Sequence, residues 1–303
     1  MTQGGDSRHT PVLLDEVVRL LDPRPGESYL DLTVGMGGHA RAIAERTAPE
    51  GPIVGIDHDP EALEIARAAL KERGPVLLRG SFGELRSMRP SLPVPAFDLV
   101  LADLGVSSLQ LDEGRRGFSF RRDGPLNMRM DPERGVGAAE WVATTPVEEI
   151  ARVIAEFGED RYARRIAQAI DRARRAGEIR GTAALAEVVR GAVPRSRNET
   201  IDPATRTFQA IRIAVNGELE VLDRWLDHFE VWLRPGGRLA VISYHSLEDR
   251  RVKEAFRLRA REGDIEVVTA KPVRPSDAEV AENPRSRSAR LRVVRRRGGP
   301  TQG

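Results

Sequence analysis

Asp31, Gly35, Gly37, Gly38, Asp57 and Asp103 are the residues whose types and spacing point first to chemistry. The stretch from Tyr29 to His39 reads Y-L-D-L-T-V-G-M-G-G-H, and Ile53-Val-Gly-Ile-Asp57 ends 18 residues beyond it. Glycine lets a backbone approach a ligand closely, at φ values a side chain forbids. A carboxylate at the tip of the following strand can accept both hydroxyls of a ribose. Two nucleoside cofactors fit. Gly35-x-Gly37-x-x-Ala40 matches the dinucleotide fingerprint in its G-x-G-x-x-A form, with Asp57 near the offset of the ribose acid. S-adenosylmethionine pockets instead carry an acid inside the first strand, ahead of the glycines, where Asp31 stands. That carboxylate suits an ammonium and would repel a pyrophosphate. A tight turn that binds nothing is the plain alternative.

Asp103 leaves the apolar run Leu99-Val-Leu-Ala. The lone pair of an exocyclic amine is delocalised into its ring, so an enzyme that methylates one must hold the NH2 with acceptors and align its nitrogen. Such catalysis is mostly positioning and electrostatics. Asp103 also suits a helix cap, since glycine and paired serines follow it. After a later strand, Tyr244 could stack on a splayed base, and His245 could bind phosphate or substrate or serve structure. Arg285, Arg287 and Arg290 could clamp RNA phosphates, or pair with Glu248 or Asp249.

The elements that must position these residues alternate. A helix is expected from His9 to before Pro23, then strand 28–33, helix 38–47, strand 52–56, helix 60–73, and strands 75–79 and 97–102. That rhythm predicts a parallel sheet in the α/β class. Pro60 after Asp59 predicts a helix start. Beyond Asp103 the rhythm stops, and segments 138–143, 146–157, 159–176 and 182–192 read as helical, with Thr145-Pro-Val-Glu148 resembling a capping box. We therefore expect an all-helical insertion at 113–202 within a domain built from 9–112 and 203–297, with flexible tails at 1–8 and 298–303. After Asp202-Pro203, apolar residues from Phe208 to Leu233 step by three or four, as in one buried helical stripe. Strand 238–243, helix 248–261 and strands 265–269 and 289–295 complete the sheet.

Composition bounds the rest. The 303 residues suffice for one large domain or two ordinary ones. No apolar run nears the ~20 residues of a membrane span and no signal-peptide h-region is present, so a cytoplasmic protein is expected. Without cysteine there is no disulfide, thiolate metal site or cysteine nucleophile; the histidine spacing predicts no metal. Methylation at C5 of cytosine ordinarily needs a covalent thiolate adduct, so an amine, hydroxyl or ring nitrogen remains as methyl acceptor. Net charge is only +2, yet Arg115–Val215 holds 19 arginines against 14 acids, and Asn283–Arg297 holds seven arginines and no acid. Such clustering suits phosphate contacts, although a charge run is more often a solvated face.

Eight blocks together resemble one family. They are D-L-T-V-G-M-G-G-H (31–39), G-I-D-H-D-P (55–60), A-D-L-G-V-S-S-L-Q-L-D (102–112), R-G-F-S-F (116–120), P-L-N-M-R-M-D (125–131), A-T-R-T-F-Q-A-I-R-I-A-V-N (204–216), S-Y-H-S-L-E-D-R (243–250) and N-P-R-S-R-S-A-R-L-R (283–292). The chain, from about His9 to Arg295, resembles the ribosomal RNA small-subunit cytosine-N4 methyltransferases, the RsmH or MraW family. The resemblance implies a Rossmann-like methyltransferase sheet and S-adenosylmethionine as cofactor. It implies methylation of N4 of a cytidine in the decoding region of 16S ribosomal RNA, within the small subunit. By motif, cofactor contacts fall on Gly37, Gly38, His39, Asp57, Phe82, Asp103 and Gln110, beside Asp31 and Gly35 from the residues themselves. Asp103, Asn127, Tyr244 and His245 are the catalytic candidates, and Arg285, Arg287 and Arg290 the RNA contacts. One departure is Asn127, where the family usually has aspartate: asparagine cannot take up a proton, so the expectation for amine contact moves to Asp103. Ala40 replaces a common serine. A target base in folded RNA must be rotated out to reach such a pocket, with contacts expected from the insertion and the C-terminal arginines. The basic insertion could serve a homodimer instead. Other readings of the residues are a protein or small-molecule methyltransferase, a nicotinamide oxidoreductase, and a binding protein without chemistry.

Overall fold

The computed structural model describes residues 10–177, 179–194 and 202–298. The tails expected at 1–8 and 298–303 lie outside the described residues, apart from Gly298. In chain order the elements are α1 (Leu14–Leu21), β1 (Tyr29–Asp31), α2 (Gly38–Thr47), β2 (Ile53–Asp57), α3 (Pro60–Ala69), β3 (Val76–Arg79), α4 (Leu85–Met88) and β4 (Phe97–Asp103). Then come α5 (Ser108–Asp112), α6 (Ala138–Thr144), α7 (Val147–Phe157), α8 (Ala163–Ala176), α9 (Thr182–Ala192), α10 (Ala204–Asn216) and α11 (Glu218–Leu226). The chain ends with β5 (Leu233–Ser243), α12 (Ser246–Glu262), β6 (Ile265–Val267), α13 (Asp277–Glu282) and β7 (Arg290–Arg296). No helix among the described residues is long and apolar enough to cross a membrane.

Two compact units form. The first, Met1–Gly105 with Glu220–Gly303, contains a seven-stranded sheet in the order β3-β2-β1-β4-β5-β7-β6. Strands β1 to β5 pair in parallel, and β7 runs antiparallel to both β5 and β6. The sheet is Rossmann-like, of the α/β class. Its strands alternate between two apolar layers, as the period of two requires. Leu30, Val54, Val100 and Val241 pack with Trp225, Phe229 and Phe256. Tyr29, Ile53, Leu99 and Ile242 pack with Val17, Leu21 and Ile43. Strand order reverses between β1 and β4, both of which end in aspartate, and a crevice at such a reversal is where α/β sheets bind ligands.

The second unit, Val106–Leu219, is helical with its own core, in which Ile150, Ile154, Ile166, Ile170, Leu185 and Val189 are buried. Its limits differ from those expected. Helix α10, assigned from sequence to the sheet domain, buries Phe208, Ala210 and Ile211 in the core of this unit against α7 and α9. The single stripe expected from Phe208 to Leu233 is also broken. Gly217 adopts φ 59° and caps α10 through its N–H to the Ile213 carbonyl, and α11 starts anew at Glu218. The Leu233-Arg-Pro-Gly-Gly stretch, at the end of that expected stripe, begins β5 instead, with Gly236 at φ 81° and a register shift against β4. Thr145 makes no capping bond to α7, whose cap position is Pro146. Asp59 does cap α3, accepting from the Glu61 N–H at 3.1 Å, with Pro60 in the first turn.

Candidate functional site

The carboxyl ends of β1, β2 and β4 each deliver an aspartate. In the β1–β4 register Asp31 lies opposite Leu101, so Asp103 projects two residues beyond it. Asp31 is buried and accepts from the Tyr29 hydroxyl at 2.8 Å and the Thr33 N–H at 3.2 Å. Burial pushes its carboxyl up to about 7 against those two hydrogen bonds, and the charge of Asp57 pushes the same way. Asp57 accepts from the Gly35 N–H at 2.8 Å and the Asp59 N–H at 2.9 Å, which ties the end of β2 to the glycine turn. Burial raises it too.

Asp103 Oδ1 accepts from the Tyr244 hydroxyl at 2.9 Å, and the Asp103 N–H donates to Thr33 Oγ1 at 2.7 Å. Desolvation pushes this carboxyl also to about 7, with Asp31 and Glu248 adding repulsion and the Tyr244 bond opposing. Tyr244 is therefore committed to Asp103 through its hydroxyl, and its own pKa is driven upward by burial and by that acid. Its ring lies against Gly105, where a Cβ would meet the ring at 3.3 Å and φ is +96°.

The glycines differ in why they are needed. Gly35 has φ +50° and no atom nearer than 3.9 Å to where a Cβ would stand, so the turn is open there. Gly37, at φ +82°, would push a Cβ to 3.3 Å from the Ala66 backbone, and Gly38 would bring one to 2.5 Å from Pro11. Those two are required by packing on α3 and on the segment before α1. His39 is buried, and its Nε2 bonds the Val12 carbonyl at 3.0 Å. Phe82 is buried edge-on to Trp225, with ring centroids 5.9 Å apart.

Other candidates have structural partners. His245 caps α12: its Nδ1 accepts from the Glu248 N–H at 3.4 Å, while the Glu248 carboxylate accepts from the Tyr244 N–H at 2.8 Å and the His245 N–H at 3.3 Å. His245 Nε2 is 3.1 Å from Glu248 Oε1 but off the line of a hydrogen bond. Arg290 pairs with Asp249 at 3.2 Å, beside the nearly buried Arg292–Asp249 pair at 2.7 Å, whereas Arg285 and Arg287 are exposed.

In the second unit, Gln110 is buried in a reciprocal cap. Its Oε1 accepts from the Ser107 N–H at 3.1 Å, and Ser107 Oγ accepts from the Gln110 N–H at 3.2 Å. Asn127 Oδ1 accepts from Arg129 Nε at 2.9 Å and from the Arg129 N–H at 3.3 Å. The surrounding motifs lock to one another. Arg116 donates to the Arg129 and Met130 carbonyls, and Asn216 bonds the Met128 carbonyl and the Met130 N–H, each at 2.8 Å.

Sequence reasoning missed Tyr29, Thr33 and Glu248. Glu248 had a signal in the spacing of a capping box after His245. Tyr29 and Thr33 had none beyond lying within two residues of Asp31.

Among the described residues, the charges that push Asp31 and Asp103 upward are acids, while His39 Nδ1 lies 3.8 Å from Asp103 Oδ2. These carboxylate acceptors fit an ammonium and a sulfonium and are wrong for a pyrophosphate. With the open turn at Gly35 and the acid at the tip of β2, the residues fit S-adenosylmethionine and argue against a nicotinamide dinucleotide.

The MraW methylase family model matches residues 6–297. The ribosomal RNA small subunit methyltransferase H of Pelobacter propionicus is 47% identical over 95% of this chain and 98% of its own length. The protein of the same name from Symbiobacterium thermophilum is 50% identical over 94% and 96%. That from a Cyanothece strain is 50% identical over 95% and 94%.

Proposed function

The chain belongs to the MraW methylase family, and from that premise we propose that it methylates the exocyclic N4 amine of a cytidine in the decoding region of 16S ribosomal RNA, with S-adenosylmethionine as methyl donor. The observation that carries this reading is the pair of aspartates ending β1 and β4, on either side of the point where strand order reverses. Asp31 holds the ammonium of the cofactor and Asp57 its ribose hydroxyls, with Phe82 beside the adenine. The donor supplies a methyl group on a positively charged sulfur. Asp103, steadied by Tyr244, accepts a hydrogen bond from the target amine and points its nitrogen along the line of transfer. No metal takes part in this scheme, and the chain without cysteine favours an amine over C5 as acceptor.

The helical unit and the exposed Arg285 and Arg287 bind RNA phosphates in this reading, within the assembled small subunit; Arg290 holds Asp249 instead. The domain that carries out transfer is the first unit, in the cytoplasm.

The test is mass spectrometry of 16S ribosomal RNA nucleosides from cells with and without the gene. Loss of one N4-methylated cytidine on deletion, restored by the intact gene and not by Asp103→Ala, is the expected result. Unchanged nucleosides would overturn the proposal.

A further inference from the structure

His39 lies in the first turn of α2, and its ring nitrogens face different partners. The Val12 carbonyl oxygen 3.0 Å from Nε2 can only accept, so Nε2 carries a hydrogen. The neutral ring therefore has its lone pair on Nδ1, which stands 3.8 Å from Asp103 Oδ2. At that separation, too long for a direct hydrogen bond, a proton on the ring would place a positive charge beside the carboxylate and favour its ionised form. The other Asp103 oxygen is occupied by Tyr244. Asp103 is also the more open partner, at 24% exposure against 8% for the histidine side chain.

The ring is held in place by the segment before α1. Pro11 packs on Gly38, the Leu13 N–H donates to Glu279 at 2.7 Å, and Asn283 Nδ2 donates to the Thr10 carbonyl at 3.4 Å. Residues at both ends of the chain thus fix the Val12 carbonyl that orients the imidazole.

We infer that His39 and Asp103 form a proton-holding pair: Asp103 takes the proton shed by the methylated amine, and the His39 ring, by taking up a proton on Nδ1 3.8 Å away, keeps Asp103 in its receptive carboxylate form. The inference rests on the N4-methylation reading. The amine nitrogen forms its bond to the methyl carbon as the carbon–sulfur bond breaks, the electron pair of that bond remaining on sulfur. The nitrogen is then cationic. Its N–H proton passes to Asp103 Oδ2, and the N–H bonding pair returns to nitrogen. His39 acts through Asp103 and does not touch the base. Among the described residues, the other titratable groups facing the pair are Asp31 from β1, with Tyr29 bonded to it, and Tyr244 and Glu248 from the end of β5 and α12. Burial and these acids keep Asp103 near 7, where it can both take and release a proton.

Two measurements test the pair. Nitrogen NMR of the imidazoles in the protein alone should show the His39 hydrogen on Nε2. Its titration midpoint should move to lower pH by about one unit in Asp103→Asn, because an adjacent carboxylate favours the charged ring. An unmoved midpoint overturns the inference, whatever the substrate. Single-turnover methylation of the RNA is then followed against pH. Glutamine at position 39 keeps an N–H donor for Val12 but cannot take a proton. Without the ring a single proton neutralises Asp103, so His39→Gln should slow transfer about tenfold at pH 7, shift the acid limb to higher pH, and leave KM for RNA unchanged. A profile with the wild-type shape overturns the pair. Absence of N4-methylcytidine from the wild-type reaction would instead sink the methylation reading, leaving the NMR result to judge the pair. If His39→Gln does not fold, the Asp103→Asn titration decides.

Discussion

Cofactor binding should release protons, and the structure sets how many. Asp31 titrates near 7 in the free protein because it is buried among acids. An ammonium brought against a carboxylate lowers its pKa by about 1–3 units; we take about 2, so the bound value is near 5. At pH 6 about nine-tenths of free molecules carry a proton on Asp31 that binding must expel, whereas at pH 7.5 about a quarter do. Affinity for S-adenosylmethionine should therefore be about eightfold weaker at pH 6 than at pH 7.5, or roughly 1.2 kcal/mol. At pH 7 Asp31 alone should release about half a proton, and Asp103, which also titrates near 7, should raise the total toward about one. The assay is isothermal calorimetry at pH 7 in buffers of different ionisation enthalpy, whose slope counts protons, repeated across pH 6–7.5. S-adenosylhomocysteine, which keeps the ammonium but lacks the sulfonium, should show only the Asp31 share. Asp31→Asn should bind more weakly and lose that share. Equal affinity at pH 6 and 7.5, with no proton release in the wild type, would refute the assignment of Asp31 as the ammonium partner.

Three further outcomes follow from the same contacts. Unfolded, Asp31 titrates near 3.9, below its folded value near 7; stability of the cofactor-free protein should thus fall as pH rises through this window, with the full penalty, at most about 4 kcal/mol, present above pH 7. Asp31→Asn should raise the melting temperature at pH 8 and leave it little changed at pH 4, which calorimetric melting would check. Gly117→Ala places a Cβ 2.3 Å from the Pro125 carbonyl oxygen at φ +73°, so chemical denaturation should show a loss of about 3 kcal/mol or more. Asn127→Asp should convert the Arg129 contact into an ion pair, adding up to about 1 kcal/mol of stability without shifting the pH profile of methyl transfer; a shifted profile would give position 127 a role in the proton path.

Local periodicity made much of this fold readable. Helix 38–47 stands where the sequence predicts it, and β1, β2 and β4 lie within about two residues of their expected limits. Apolar alternation and Asp59-Pro60 act over a few residues, so their consequences can be read from a few residues. The aspartates ending the strands were legible for the same reason. Legibility failed where a residue's partner is distant. Gln110 and His245 carry polar side chains beside the motifs, but whether each caps a helix or meets a substrate depends on which atoms surround it. The break at Gly217 had a local signal, a glycine after asparagine, which the continuing apolar stripe concealed.

By itself the chain's order of residues determined the strand–turn–helix rhythm, the absence of thiol chemistry and an acid at the ends of β1, β2 and β4. Only the tertiary structure decided what those acids meet. Strand β5 lies beside β4, which brings Tyr244 to Asp103 across 141 positions. Likewise β7 pairs with β5, and Arg290 and Arg292 close on Asp249. Residues before α1 reach over to hold His39. Folding, not spacing, also sends α10 to the helical unit, because Phe208 and Ile211 find their apolar partners there. Sheet order and side-chain burial are long-range outcomes of packing free energy, and no window of neighbouring residues contains them.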